Sequence, residues 1–258
     1  MAAAGQGSGE LIPIDSEHSA ILQCLRGHDP TSVSRLVLTA SGGPFRGFTD
    51  EELEGVGPED TLRHPTWEMG AKVTVDSATL ANKALEVIEA HYLFGIDYDK
   101  IDTVVHPQSI IHSFVEFTDG AVLSQLGFPT MELPILYALS HPGRVADTAL
   151  RTFDPVRASP LTFEEVDCDR FRLFALGVGA GVRGGTVPAV FNAANEVAVG
   201  AFLSRTLRFS EIADVVAHAI EVVPRRNVAT VNDVLQADAA ARQAAREFVS
   251  SPRSMAGG

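Results

Sequence analysis

Residues 76–95 read DSATLANKALEVIEAHYLFG, and the rest of the predicted fold is arranged around this stretch. Its apolar residues recur at the three- and four-residue spacing of a helix that buries one face. Asp76 or Ser77 can cap the helix by accepting a hydrogen bond from a backbone N–H, and Gly95 suits its C-terminus. The preceding run Lys72–Val75 has the branched residues of a short strand. The sequence therefore predicts a strand, a capped turn and a partly buried helix.

One face of the predicted helix carries three polar side chains. Asn82, Lys83 and Glu86 lie three and four residues apart, so they project to the same side. An amide, a cation and a carboxylate in this arrangement can hold a phosphate at one end and a metal at the other. An ordinary solvated helix face with one lysine–glutamate pair explains the same residues, and the stretch alone leaves both interpretations open.

The composition is that of a soluble globular protein with room for one large or two medium domains. The chain has 258 residues, of which 45% are hydrophobic and 21% are charged. Its longest apolar runs are far shorter than the roughly 18 residues of a membrane-spanning helix, so we expect no membrane association. The start of the chain lacks the basic and apolar regions of a signal peptide, which favours a cytoplasmic location.

The net charge limits which ligands the chain can bind, and the cysteines indicate its redox compartment. A net charge of −13 argues against a nucleic-acid groove, which needs a basic stripe, but it permits a small phosphorylated substrate. Cys24 and Cys168 are far apart and lack metal-ligand spacing. We expect both to be buried free thiols in a reducing compartment.

Two carboxylates follow a predicted short strand near the start of the chain. Leu11–Ile14 is typical of an edge strand, and Asp15 and Glu17 come directly after it, before a helix predicted over 19–25. Carboxylates at i and i+2 on such a junction can converge on one cation, and oxygen ligands favour Mg²⁺ or Mn²⁺. A capping cluster, with Asp15 or Ser16 at the N-cap and Glu17 in the first turn, is the simpler explanation of these residues taken alone.

Two loops carry further polar candidates. A strand over Arg35–Thr39 is followed by Ser41 and two glycines, which would let backbone N–H groups approach an anion or would simply form a tight turn. The loop over residues 63–70 holds His64 and the single tryptophan, Trp67. A large aromatic residue in such a loop either closes over a ligand or plugs a core.

The second half of the chain predicts a hairpin and then helices. Ile110–Phe117 and Ala121–Leu126 form a hairpin across Asp119-Gly120, a dipeptide that suits a type I′ turn. The proline-containing stretch 143–165 is interpreted as a linker. A strand is also predicted at 103–106, and helices are predicted at 127–139, 187–203, 210–223 and 231–249.

A glycine pattern in the second half is not interpreted as a nucleotide site. Gly179–Gly184 matches G-x-G-x-x-G, but it follows a predicted helix at Phe171–Leu176. A dinucleotide fingerprint requires a preceding strand, so the chain has no visible nucleotide-binding domain of its own.

Taken together, the motifs closely resemble the 1-deoxy-D-xylulose 5-phosphate reductoisomerase family from about Leu11 to Val249. Enzymes of this family rearrange and reduce their substrate in the non-mevalonate route to isoprenoids. The resemblance is carried by residues 15–18, 41–45, 64–70, 76–86, 106–109 and 191–196, in this order.

The resemblance implies the roles of individual residues. Asp15, Glu17 and Glu86 would ligate Mg²⁺ or Mn²⁺, Ser16 would contact the substrate backbone, and Glu17, Lys83 and Glu86 would be catalytic. Gly70 would contact NADPH, and His106 would line the pocket. The phosphate ligands would be Ser41, His64, Ser77, Asn82 and Lys83, and the lid residues would be His64, Trp67 and Met69.

The resemblance also implies the architecture. We expect an α/β (α+β) catalytic domain with a mostly mixed sheet at 1–147, a linker at 148–166 and a small all-α helical bundle at 167–258. The family's N-terminal NADPH-binding domain has no counterpart here, so we expect a fragment that binds metal and 1-deoxy-D-xylulose 5-phosphate without reducing it. A homodimer is expected, with the Ile110–Leu126 hairpin as the candidate interface. A metal-dependent phosphosugar-binding module without redox activity is the alternative.

Overall fold

The computed structural model of the chain describes residues 7, 9–62, 67, 69–150 and 152–251. It divides into two compact units, which are described separately. The sheet unit comprises residues 1–42, 65–68 and 86–166, and the helical unit comprises residues 43–64, 69–85 and 167–258. Within the described residues, the helices are α1 (Ser16–Leu25), α2 (Asp50–Glu54), α3 (Pro58–Thr61), α4 (Ala71–Thr79), α5 (Ala81–Phe94), α6 (Glu132–Ser140), α7 (Pro155–Ala158), α8 (Arg172–Arg183), α9 (Val187–Leu203), α10 (Ile212–Val222) and α11 (Val231–Ser250), and the strands are β1 (Val33–Ala40), β2 (Ile101–Val105), β3 (Ile111–Phe117), β4 (Val122–Leu126) and β5 (Glu164–Glu165).

The sheet unit is built on a mixed five-stranded sheet in the order β4-β3-β1-β2-β5. Strands β1 and β2 are parallel, with Leu36 opposite Ile101, whereas the other neighbours are antiparallel. Helix α1 packs on β3 and β4. This packing buries apolar residues from both layers, among them Ala20, Ile21, Leu36, Leu38 and Val115.

The predicted hairpin is confirmed, but its predicted turn type is wrong. Strands β3 and β4 pair from Ile111 opposite Leu126 to Glu116 opposite Val122. Gly120 has φ +86°, whereas Asp119 is not among the residues with positive φ. A type I′ turn needs positive φ at both central residues. Here the Phe117 N–H donates to Ala121 O over a longer loop.

The predicted linker contributes an edge strand. Strand β5 pairs antiparallel with β2 through Val104 opposite Glu165 and Val105 opposite Glu164. A two-residue strand is too short to show an alternating pattern, so sequence periodicity could not reveal it.

The helical unit confirms the predicted all-α bundle. Helix α9 spans Val187–Leu203 as predicted and packs against α8, α10 and α11. Its buried side chains include Phe191 and Phe202, which form the centre of this unit's core. Helix α10 begins at Ile212 and not at the predicted residue 210. A short 3₁₀ helix at Phe209–Glu211 precedes that helix instead.

Residues 72–95, which contain the predicted strand and helix, fold differently from the prediction at their N-terminal end. Residues predicted as a strand and a cap form helix α4, and Asp76 and Ser77 lie in its last turns. Leu80 then adopts φ +57° and separates α4 from α5. Helix α5 ends as predicted, with Gly95 at φ +68° and its N–H donating to His91 O. The predicted strand is wrong because Thr74, Val75 and Asp76 are buried by packing that outweighs their local preference.

The remaining sequence predictions concern local structure, the cysteines and the fold class. Leu11–Ile14 forms no strand, and α1 begins earlier than predicted, at Ser16. Cys24 is buried as expected, but Cys168 is exposed. No helix among the described residues is long and apolar enough to cross a membrane. The sheet unit, with helices packed on a mixed sheet, and the all-α helical unit together confirm the predicted fold class.

Candidate metal centre

Three carboxylates converge in the sheet unit. Asp15, Glu17 and Glu86 each offer an oxygen, and these oxygens lie within 4.8 Å of one another. Glu86 is 4% exposed, and the other two side chains are half-buried. The structure thus brings together the three residues that the resemblance assigned to a metal.

The start of α1 presents two of these carboxylates. Asp15 occupies the N-cap position, but its side chain makes no capping hydrogen bond. Ser16, at the first helical position, is buried, and its hydroxyl donates to Glu17 Oε2. The alternative of a capping cluster is confirmed in position, since Asp15 is the N-cap residue and Glu17 lies in the first turn, but the Asp15 side chain makes no capping hydrogen bond.

The chemistry of this cluster suits a hard divalent cation. Three negative groups in a partly buried position repel one another, and a cation between them removes that repulsion. All three donors are carboxylate oxygens, which Mg²⁺ and Mn²⁺ prefer to the nitrogen and sulfur ligands of zinc. The residues present therefore fit the implied metal.

A buried histidine holds the two ligand-bearing helices together. His18 Nε2 lies 2.9 Å from Glu86 O, and because a carbonyl only accepts, Nε2 carries the proton. Nδ1 lies 3.6 Å from Glu89 Oε2. His18 and Glu89 also form a second possible ligand group with Asp15. Neither residue was predicted as a ligand, although each lies three residues after a predicted ligand.

The helical unit contains three of the candidate phosphate ligands. Ser77 and Asn82 are half-buried, and Lys83 is buried. Ser77 lies at the C-terminal end of α4, so the prediction that Asp76 or Ser77 caps the N-terminus of a helix, its positive end, is wrong. Asn82 and Lys83 instead occupy the first turn of α5, where the helix dipole favours an anion.

The remaining candidates are distributed over both units. Ser41 follows β1 in the sheet unit and is half-buried. Trp67, also in the sheet unit, places its ring centroid 6.4 Å from that of His112. In the helical unit, Met69 precedes Gly70, which is the N-cap residue of α4. His64 lies outside the described residues.

His106 is hydrogen-bonded within the sheet unit. Its Nδ1 lies 2.9 Å from Thr162 O, and its Nε2 accepts from the Ile110 N–H. The side chain is fully buried, and burial lowers its pKa below the ordinary histidine value. Both ring nitrogens are engaged by the backbone, and the expectation that His106 lines the pocket stays a prediction.

The fold and this cluster define a class of protein: a mixed-sheet unit with a candidate carboxylate metal centre, and an all-α unit. Two family models match the chain. One, described as the 1-deoxy-D-xylulose 5-phosphate reductoisomerase C-terminal domain, matches residues 11–94, and one described as the DXP reductoisomerase C-terminal domain matches residues 126–244. The chain belongs to the 1-deoxy-D-xylulose 5-phosphate reductoisomerase family.

Individual relatives agree with this assignment. The chain is 52% identical over 240 residues to the reductoisomerase of Chlorobaculum tepidum, covering 93% of this chain and 63% of that protein. It is 54% identical over 243 residues to that of Nocardia farcinica, covering 93% and 61%. A solved structure of the Zymomonas mobilis enzyme in complex with NADPH is 39% identical with a TM-score of 0.90, covering 97% of this chain and 65% of that one. The chain thus spans less than two thirds of the length of these relatives.

Proposed function

We propose that this chain carries the metal and substrate site of a 1-deoxy-D-xylulose 5-phosphate reductoisomerase. The activity proposed for the whole enzyme is rearrangement of 1-deoxy-D-xylulose 5-phosphate, followed by NADPH-dependent reduction to 2-C-methyl-D-erythritol 4-phosphate. That this chain alone binds the metal and the substrate without reducing it stays a prediction. The main support is the convergence of Asp15, Glu17 and Glu86 in a chain of this family.

The proposed site uses carboxylates for a metal and polar groups for the substrate. Asp15, Glu17 and Glu86 would hold Mg²⁺ or Mn²⁺, which when bound acts as a Lewis acid on the carbonyl and hydroxyl oxygens of the substrate. Ser16 would contact the substrate backbone, and Glu17, Lys83 and Glu86 would act on the reacting part of the molecule. The phosphate would be bound by Ser41, His64, Ser77, Asn82 and Lys83, and His64, Trp67 and Met69 would form the lid.

NADPH is the proposed reductant, and Gly70 its proposed contact in this chain. A solved relative, 34% identical with a TM-score of 0.90, is described as a complex with NADPH, fosmidomycin and magnesium. The second candidate function is metal-dependent phosphosugar binding without reduction. It is favoured by the position of the glycine pattern, since Gly179 and Gly181 lie inside helix α8 and not after a strand. With Mn²⁺, NADPH and a separately supplied NADPH-binding domain, formation of 2-C-methyl-D-erythritol 4-phosphate would support the first candidate, and binding without product would support the second. Oxidation of NADPH by the chain alone would contradict the prediction that it does not reduce its substrate.

The metal assignment is tested by calorimetric titration with Mn²⁺. We expect Glu86→Gln to weaken Mn²⁺ binding by about 10-fold or more, because the amide keeps the shape of the ligand and removes its charge. Glu89→Gln separates the two possible ligand groups, since Glu89 belongs only to the group with His18. Glu221→Gln is the matched control at an exposed carboxylate of α10.

The outcomes of this titration are distinct. Loss of binding in Glu86→Gln with retention in the other two variants supports the proposed centre. Loss in Glu89→Gln alone would transfer the metal to the Asp15, His18 and Glu89 group. Equal binding by all three variants and the unmodified chain would contradict both ligand groups.

We also propose a cytoplasmic homodimer that joins through the β3–β4 hairpin. Strand β4 is an edge strand, and its Val122 and Leu123 side chains are 54% and 38% exposed. An edge strand with exposed apolar residues is suited to pairing with a second copy. The division at residues 147 and 166 into a catalytic domain, a linker and a helical domain stays a prediction.

A further inference from the structure

A buried carboxylate in the helical unit has no role in the proposed chemistry. Asp76, in the penultimate turn of α4, is 0% exposed. Asn195 Nδ2 of helix α9 donates to Asp76 Oδ1 at 2.8 Å, and Lys72 Nζ lies 2.6 Å from Asp76 Oδ2. Because an isolated buried charge is costly, these two partners are what allow a carboxylate at this position.

The amide of Asn195 is oriented by the carboxylate it contacts. Asn195 is itself fully buried, and its Oδ1 accepts no hydrogen bond from any described residue. The opposite amide orientation would place that oxygen against Asp76 Oδ1, where two acceptors repel each other. The observed contact therefore uses Asn195 as a donor to a single partner, Asp76.

Asp76 lies beside the candidate phosphate ligands in the chain. Asp76 directly precedes Ser77, and its own carbonyl accepts from the Thr79 hydroxyl. The Thr79 hydroxyl accepts in turn from the Ala81 N–H, at the start of the helix that carries Lys83. The linkage therefore runs from α9 through Asp76 to the junction of α4 and α5.

The other side of this junction is also closely packed. A Cβ added to Gly43 would lie 2.7 Å from Ser77 O and 2.9 Å from Ala78 Cα. Ser77 is thus confined by the Gly43 backbone, while the residue before it is held by Asn195. Leu80 completes the junction in a left-handed conformation that is uncommon for a residue with a side chain.

We propose that Asn195 is a positioning residue that acts through Asp76 to hold Ser77 and Lys83 in place for the phosphate group of a sugar phosphate. The inference rests on the proposed function, because it takes these two residues as phosphate ligands. It assigns to helix α9 a part in substrate binding without contact to the substrate.

The test is calorimetric titration of the full chain with 1-deoxy-D-xylulose 5-phosphate, with Mn²⁺ affinity measured in parallel. We expect Asn195→Ala to weaken binding of the sugar phosphate by about 10-fold and to leave Mn²⁺ affinity unchanged. Asn192→Ala is the matched control, since it removes an amide one turn earlier on α9 that donates to Glu196 Oε1. It should bind the sugar phosphate within about 2-fold of the unmodified chain.

An exchange of the two side chains separates positioning from simple stability. In the double variant Asp76→Asn/Asn195→Asp, the amide at 76 donates to the carboxylate at 195, and its oxygen can accept from Lys72. We expect this variant to recover binding to within about 3-fold, even if Asn195→Ala fails to fold. A folded double variant that does not recover binding would overturn the inference, as would a double variant that does not fold.

Failure of the inference is distinguishable from failure of the proposed function through Ser77→Ala. If this variant loses the sugar phosphate while Asn195→Ala binds normally, the phosphate site stands and the positioning role is wrong. If the unmodified chain does not bind the sugar phosphate, the proposed function fails, and the positioning role fails with it.

Discussion

His106 shows how burial determines the role of a single side chain. Its Nδ1 donates to Thr162 O, its Nε2 accepts from Ile110 N–H, and its ring stacks on Phe163 at a centroid distance of 4.7 Å. Both nitrogens are used only when the ring is neutral, since a protonated Nε2 cannot accept. The family resemblance suggested that His106 lines the pocket, and nothing in the local sequence indicated its two hydrogen bonds to the backbone.

The neutral state of His106 predicts a dependence of stability on pH. Burial lowers its pKa, whereas the unfolded chain takes up the proton at the ordinary value of about 6.5. The unfolded state therefore binds more protons between these two values, and the free energy of unfolding should fall as the pH drops below about 6.5. His106→Gln should reduce this slope and destabilise the chain by about 2 kcal/mol, because a buried backbone group loses its partner.

Denaturant unfolding at pH 5 to 8 measures this effect. Above pH 7.5 the curves of the variant and the unmodified chain should run parallel, which serves as the internal control. An unchanged slope below pH 6.5 would show that His106 is not the group responsible.

Asp76 is a second side chain whose buried environment could not be predicted from the sequence. The sequence placed it at a helix N-cap, where it would be solvated, but it is buried within α4. Desolvation raises its pKa, and the Lys72 charge and the hydrogen bond from Asn195 oppose that rise. Asn195 is distant in the sequence, so no local pattern could reveal this contact.

Helix α8 owes its packing to one of its glycines. A Cβ added to Gly177 would lie 2.5 Å from Ala84 Cβ and 2.7 Å from Phe191 Cζ. A Cβ added to Gly179, two residues later, meets nothing within 4 Å. Glycine at position 177 thus permits close helix packing, whereas glycine at position 179 only lowers the helix propensity.

This difference predicts opposite effects of the same substitution. Gly177→Ala should destabilise the chain by about 2 kcal/mol, because the added methyl group overpacks the core. Gly179→Ala should stabilise it by about 0.5–1 kcal/mol through helix propensity. Thermal unfolding of the two variants measures both effects, and a shift of the same sign and size in both would contradict the packing described for α8.

The elements also show where local patterns succeed. Helix α9 and the β3–β4 hairpin match their predictions because periodicity and turn residues act over short distances. Helix α4 does not, since Val73, Thr74 and Val75 favour a strand locally and tertiary packing overrides that preference. Strand β5 forms only because β2 offers it a partner.

The assembly of the whole molecule is tested at the exposed edge of the sheet. Val122→Lys places a charge on β4, which should prevent pairing of two copies and give a monomer. Val231→Lys, at a residue of α11 that is 76% exposed, is the matched control and should leave the oligomeric state unchanged. Sedimentation of both variants measures the result, and a dimer that survives Val122→Lys would exclude β4 as the interface.

The sequence alone established the fold class, most helices and strands, and the resemblance to the family that the comparisons confirmed. These properties depend on periodicity, turn residues and ordered motifs, which a chain carries in its local pattern. Only the tertiary structure brought Glu86 to Asp15 and Glu17, gave His106 its two backbone partners and joined Asn195 to Asp76. Each of these contacts links residues far apart in the chain, and it exists because burying apolar surface and satisfying buried polar groups brings those distant segments together.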